Sequence, residues 1–169
     1  MQSLDHDHVT RHIEAPAESL YDVIADVTRM PELSPELVSC AWVGGASGPE
    51  VGARFVAVNV APNGRTWKNR PVVTVADRSH EFAITRTEPM AGTVHWRYLF
   101  EPDGTGTTVT ESYDVERPVA RLGWFVIERL FAGKDRRAAL RAGMEHTLAR
   151  LAQRVETQTQ TPASTDTQP

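Results

Sequence analysis

The stretch from Lys134 to Glu156 constrains the fold more than any other part of this chain. At about 100° per residue, Leu140, Met144, Leu148, Leu151 and Val155 fall on one narrow stripe, while Arg136, His146, Arg150, Gln153 and Arg154 crowd the opposite side. That pattern predicts an amphipathic helix. With a rise of about 1.5 Å per residue it runs roughly 33 Å, the span of a small domain. Ala138, Ala139, Ala142, Ala149 and Ala152 flank the stripe and are small enough to let a sheet come close. Arg150 and Arg154 suit the negative end of the helix dipole. The expectation is a sheet curved around one long helix.

The rest of the chain supplies that sheet. Val9 to Glu14 alternates as a first strand and is broken by Ala15-Pro16-Ala17. Leu20, Tyr21, Val23 and Ile24 then form a short amphipathic helix with Pro16 and Glu18 suiting its first turn. A second helical piece is expected from Asp26 to Met30, capped and pinned by Asp26 and Arg29 and stopped by Pro31 and Pro35. Strand signals follow in a row: Leu37 to Val43, Ala53 to Ala61, Thr66 to Ala76, Glu81 to Thr87, Thr93 to Glu101 and Thr107 to Glu116. Turn residues such as Pro62-Asn63-Gly64 and Asp103-Gly104 separate them, and connections this short imply antiparallel neighbours.

Alternation assigns the faces. Phe55, Ala57 and Asn59 share one; Trp67, Asn69, Pro71, Val73 and Val75 another; Phe82 and Ile84 a third; Val94, Trp96, Tyr98 and Phe100 a fourth. If all four turn toward the helix, they enclose an apolar region with a few polar groups, the usual character of a small-molecule pocket. The competing reading is that the same side chains interlock into a solid core. Between the last strand and the helix, Trp124-Phe125-Val126-Ile127 and Leu130-Phe131 are apolar nearly all the way round, as a lid or a buried helix would be.

A chain of 169 residues is one domain's worth, here 8–156, between a loose start at 1–7 and a tail at 157–169 with no large apolar residue to offset its ordering entropy. Cys40 is the only cysteine, so no intrachain disulfide forms; it reads as a small buried hydrophobe. No apolar run approaches the roughly 18 residues of a membrane span and no leader pattern opens the chain, so a cytoplasmic location is expected. The net charge of −4 argues against nucleic acid as the main partner. His6, His8 and His12, with Asp5 and Asp7 between them, are spaced too irregularly to predict a metal site, and Gly44-Gly45-Ala46-Ser47-Gly48 lacks the Lys-Ser of a phosphate loop. No cofactor is expected, and the oligomeric state stays open.

The order strand, two short helices, six strands and long C-terminal helix resembles the START-related superfamily, also called Bet v 1-like or helix-grip. Within it the chain is most similar to SRPBCC proteins of the actinobacterial polyketide cyclase/dehydrase type. The residues that carry the likeness are Ile13-Glu14-Ala15-Pro16 with Tyr21, Asp26-Val27-Thr28-Arg29-Met30 with Ser34-Pro35-Glu36, Cys40 with Trp42, Gly52-Ala53-Arg54-Phe55, Trp96-Arg97-Tyr98 and Val109-Thr110-Glu111. The resemblance implies an α+β helix-grip fold of about seven antiparallel strands around the C-terminal helix. It also implies a cavity between the two for a lipid, sterol, polyketide or other hydrophobic small molecule.

The residues proposed to line that cavity are Phe55, Asn59, Trp67, Phe82, Ile84, Trp96, Tyr98, Phe100, Tyr113, Phe131, Met144 and Leu148. Glu111 and Tyr98 are the candidates for acid–base work, because a carboxyl buried without a cation titrates near neutrality. The plainer alternatives put Glu111 in a surface ladder or beside an arginine, and Asn59 on backbone groups at a strand end. Three functions follow: a carrier or sensor of an apolar molecule, a cyclase, aromatase or dehydratase, and an interaction module presenting its sheet.

Overall fold

A computed structural model describes residues 4–89, 92–120, 123, 125, 129 and 135–159. In chain order come β1 (His6–Ile13), α1 (Ala17–Ala25), a 3₁₀ helix (Val27–Glu32), β2 (Leu37–Val43), β3 (Arg54–Val60), β4 (Thr66–Asn69), β5 (Val72–Asp77), β6 (Glu81–Glu88), β7 (Gly92–Asp103), β8 (Gly106–Arg117) and α2 (Arg136–Thr159). The strands form one antiparallel sheet in the order β1-β8-β7-β6-β5-β3-β2, with β4 paired to β3. This is the helix-grip arrangement. β7 and β8 are joined by Gly104 and Thr105 alone, and Gly104 takes a φ of +65° that a side chain disfavours in so tight a turn.

Three boundaries differ from the pattern in the sequence. β1 begins at His6, inside the segment expected to be loose, because its ladder to β8 runs from His6 beside Asp114 to Ile13 beside Thr107. The single strand expected over 66–76 is two, β4 and β5, parted at Arg70-Pro71; proline has no N–H to give a ladder. α2 runs to Thr159, so residues 157–159 are helix and not tail; 160–169 lie outside the described residues. Asp135 starts α2 by accepting from the amides of Arg137 at 3.0 Å and Ala138 at 3.3 Å. Asp26 caps the 3₁₀ helix in the same way, through the amide and hydroxyl of Thr28.

The stripe on α2 is buried as its spacing predicts, but it meets two different surroundings. Leu148, Leu151 and Val155 join a packed core with Leu20 and Ile24 of α1 and with Val73, Phe100 and Val109 of the sheet. Tyr21 of that core sets its ring edge-on against Phe100, with centroids 5.7 Å apart. Leu140 and Met144, one to two turns earlier, meet only Val94 and Tyr113 among the fully buried apolar side chains. The sheet grips the second half of the helix tightly and stands off from the first.

Arg136 departs from the expected polar face of α2. It is buried and forms a two-pronged ion pair with Glu36, Nη1 to Oε1 and Nη2 to Oε2. Glu36→Gln is expected to destabilise the fold by about 2 kcal/mol, less than the ~3–5 of a fully buried pair because the Glu36 side chain keeps 25% exposure. Urea unfolding at neutral pH measures it, and an unchanged midpoint would show the pair to be neutral.

Candidate functional site

The stand-off leaves a cavity of about 150 Å³, partly open to solvent, between the inner sheet face and the first half of α2. Period-two alternation aims its wall inward: Phe55, Ala57 and Asn59 from β3, Trp67 and Asn69 from β4, Phe82, Ile84 and Arg86 from β6, Trp96 and Tyr98 from β7, and Glu111 from β8. The 3₁₀ helix closes one side with Val27 and Met30, and α2 supplies Arg136, Leu140, Gly143, Met144 and Thr147.

Eight of the twelve expected lining residues are therefore on the wall: Phe55, Asn59, Trp67, Phe82, Ile84, Trp96, Tyr98 and Met144. Phe100, Tyr113 and Leu148 face inward but lie elsewhere. Phe100 and Leu148 are in the packed core, and Tyr113 stacks at a tilt on Trp96 with centroids 5.4 Å apart. Strand parity gives the face, not the distance from the hollow. Phe131 lies outside the described residues, as does the expected lid over 118–132 apart from 118–120, 123, 125 and 129.

Glu111 is buried, contrary to its surface-ladder alternative, and among the described residues it has no arginine partner. The Tyr98 hydroxyl donates to its Oε1 at 2.8 Å, and among the described residues its Oε2 has no hydrogen-bond partner. Burial raises the Glu111 carboxyl from 4.5 to about 8, against the smaller opposing effect of the Tyr98 hydrogen bond, so at neutral pH the acid form dominates. Burial also pushes Tyr98 well above its ordinary range, with the neighbouring Glu111 adding to the shift. The pair is a neutral acid and a neutral phenol in an apolar wall. Asn69 Oδ1 is a second polar atom of this wall with no partner, whereas Asn59 spends its amide on the Ala57 carbonyl at 3.4 Å, as its backbone alternative held.

Three wall features escaped the reading of the sequence. Arg86 follows Phe82 and Ile84 at the same parity, so the alternation already points it inward, but the expected wall stops at Ile84. Arg136 is expected on the polar helix face, yet it stands one turn before Leu140, on the flank of the apolar stripe. Gly143 lies mid-helix, where glycine costs about 1 kcal/mol relative to alanine, and a Cβ placed there meets nothing within 4 Å. Cys40 also touches the cavity, with burial pushing its thiol up to about 11, so it is a poor nucleophile at neutral pH.

On the outer sheet face Thr85 Oγ1 lies 2.6 Å from His95 Nδ1, and His95 Nε2 lies 2.8 Å from Glu116 Oε2. The row resembles a hydrolase relay in partner types, but it is a cross-strand ladder on an exposed surface, outside the cavity. Among the described residues no three His, Cys, Asp or Glu side chains are grouped to hold a metal ion, and no helix is long and apolar enough to cross a membrane.

Comparison with known proteins agrees with this geometry. The family described as polyketide cyclase / dehydrase and lipid transport matches residues 7–156. A polyketide-cyclase-like protein of Corynebacterium glutamicum, Cgl2372, is 31% identical over 94% of this chain and 95% of its own, with a TM-score of 0.58. The di-domain ARO/CYC StfQ of the steffimycin biosynthetic pathway has a TM-score of 0.73 at 13% identity, over 91% of this chain and 51% of its own. Protein NE0264 of Nitrosomonas europaea has a TM-score of 0.66 at 12% identity, over 92% of this chain and 96% of its own. The last two likenesses are of fold. No curated protein matches the sequence. By its residues, its architecture and the extent of the match, the chain belongs to the polyketide cyclase/dehydrase and lipid transport family.

Proposed function

We propose that this protein binds a compact hydrophobic small molecule in the hollow beside the first half of α2, as a carrier or sensor. The observation that carries the reading is the wall itself. Phe55, Phe82, Ile84, Trp96 and Met144 present apolar surface, and Glu111 Oε2 and Asn69 Oδ1 are polar atoms that no group among the described residues satisfies. An apolar wall with a few convergent polar groups suits a guest that is greasy over most of its surface and polar at a point or two. Its size narrows the guest. At about 10–15 Å³ per water-sized site, 150 Å³ accepts on the order of ten non-hydrogen atoms, a substituted ring and not a two-chain lipid.

Gly143→Leu tests this. The new side chain enters the hollow, gains helix propensity, and is expected to hold or raise Tm while abolishing uptake of 4-ethylbenzyl alcohol. Binding is followed through the indole N–H resonances of Trp67 and Trp96. An alcohol that binds the variant as tightly as the wild type, or binds neither, sinks the reading.

The second reading is an acid–base enzyme of the cyclase, aromatase or dehydratase kind, and the Glu111–Tyr98 pair favours it. A carboxyl titrating at about 8 both gives and takes a proton near neutrality, and the fold likeness to an ARO/CYC is in keeping with such work. Turnover that survives both Glu111→Gln and Tyr98→Phe would exclude that pair.

A further inference from the structure

Arg86 is a charged group of the cavity wall that neither reading has used. It stands on β6 two residues beyond Ile84 and is one of the residues that line the hollow. Among the described residues its side chain makes no hydrogen bond and no ion pair, in a structure whose other wall arginine, Arg136, is paired with Glu36. Arg86 is half-buried, and an arginine does not escape even that by losing its proton, so the guanidinium stays a cation, partly stripped of water and costly without a counter-charge. Its surroundings do little to supply one. Burial and the charge of Arg136 disfavour the Arg86 cation, and Glu88 and Glu36 offset them by less. Glu36 is shared with Arg136, and Glu111, at the far side of the wall, is largely neutral at neutral pH.

We propose that the guest is an acid: a compact amphipathic carboxylate whose anionic head is held by Arg86, with its apolar body along Ile84, Trp96 and Met144. The proposal rests on the small-molecule reading above and specifies its ligand class. A guanidinium offers two parallel N–H donors spaced for the two oxygens of one carboxylate, which fixes orientation as well as charge. Register places the other polar end. Phe82, four residues before Arg86, lies beside Tyr98, which lies beside Glu111. The backbones at Arg86 and Glu111 are thus about 13 Å apart along the strands and about 10 Å across them. A bound acid meets Arg86 at its head and the Glu111–Tyr98 pair toward its tail.

The test is a matched pair of probes, 4-ethylbenzoate and 4-ethylbenzyl alcohol, titrated at neutral pH into the full chain, Arg86→Met and Arg86→Lys, with Tm recorded for each. The wild type is expected to bind the benzoate at least about tenfold tighter than the alcohol. Arg86→Met should lose that preference, with alcohol binding kept within about twofold and Tm unchanged or higher; Arg86→Lys should keep part of it. Equal affinities in the wild type, or a preference that persists in Arg86→Met, overturn the acid proposal while leaving the small-molecule reading in place. Binding of neither probe overturns both. Should Arg86→Met fail to fold, Arg86→Lys decides: a benzoate preference as large as the wild type's would show that the guanidinium fork does not hold the head.

Discussion

Glu111→Gln is expected to flatten the dependence of stability on pH and to leave the variant more stable than the wild type in mild alkali. The wild-type carboxyl titrates at about 8 when folded and at its ordinary 4.5 when unfolded. Between those values the unfolded chain has released a proton that the folded chain still holds. Stability therefore falls as pH rises, by up to about 1.4 kcal/mol per unit. The contribution is fully present below 4.5 and lost once pH has passed about 8. Glutamine has no such proton, and its amide oxygen can still accept from Tyr98. The variant should therefore gain on the wild type by a few kcal/mol between about pH 5 and about pH 9, with little change beyond. Urea melts of both proteins across that range measure the difference, in which all other titrating groups cancel. Parallel curves would mean that Glu111 is ionised in the folded protein, and with it the neutral acid invoked for the cavity would be lost.

Phe100→Ala should be the most damaging apolar truncation on β7, costing about 3–5 kcal/mol, because its ring is fully packed and the void it leaves cannot collapse. Trp96→Ala, four residues earlier on the same face, removes a larger side chain that borders a space already present, so it should cost less stability and more binding. Denaturant midpoints of the two variants rank them. The opposite order would place the hollow at Phe100 and the core at Trp96.

That contrast also shows how far residue order carried. The stripe from Leu140 to Val155 and the strand parities are periodic, so architecture and inward faces were legible in them. Depth was not. Phe100, Tyr113 and Leu148 have the parity of wall residues, yet the sheet closes on the helix at two of them and Trp96 covers the third. Charge misled in the other direction. Arg136 belongs to the expected polar face of the helix, Glu111 has a surface ladder as its plainer alternative, and Arg86 draws no expectation, because single residues of this type usually face solvent. All three border the cavity. The ion pair with Glu36, a hundred residues from Arg136 in sequence, helps make burial of that arginine tolerable, and no local pattern announces a partner so distant. Pro71 did announce itself: a proline within an otherwise strand-like run signals an edge or a break.

The break at Pro71 has a consequence for how firmly the curved sheet is laced. β5 lies beside β6 only as far as Thr85, which faces Val72, while β4 turns to β3. From Arg86 to Glu88, β6 is laddered on its β7 flank alone. A flank without rungs parts without breaking any, so among the described residues this is a stretch where the sheet can give way without loss of backbone hydrogen bonds to β5. Arg86 stands at its start.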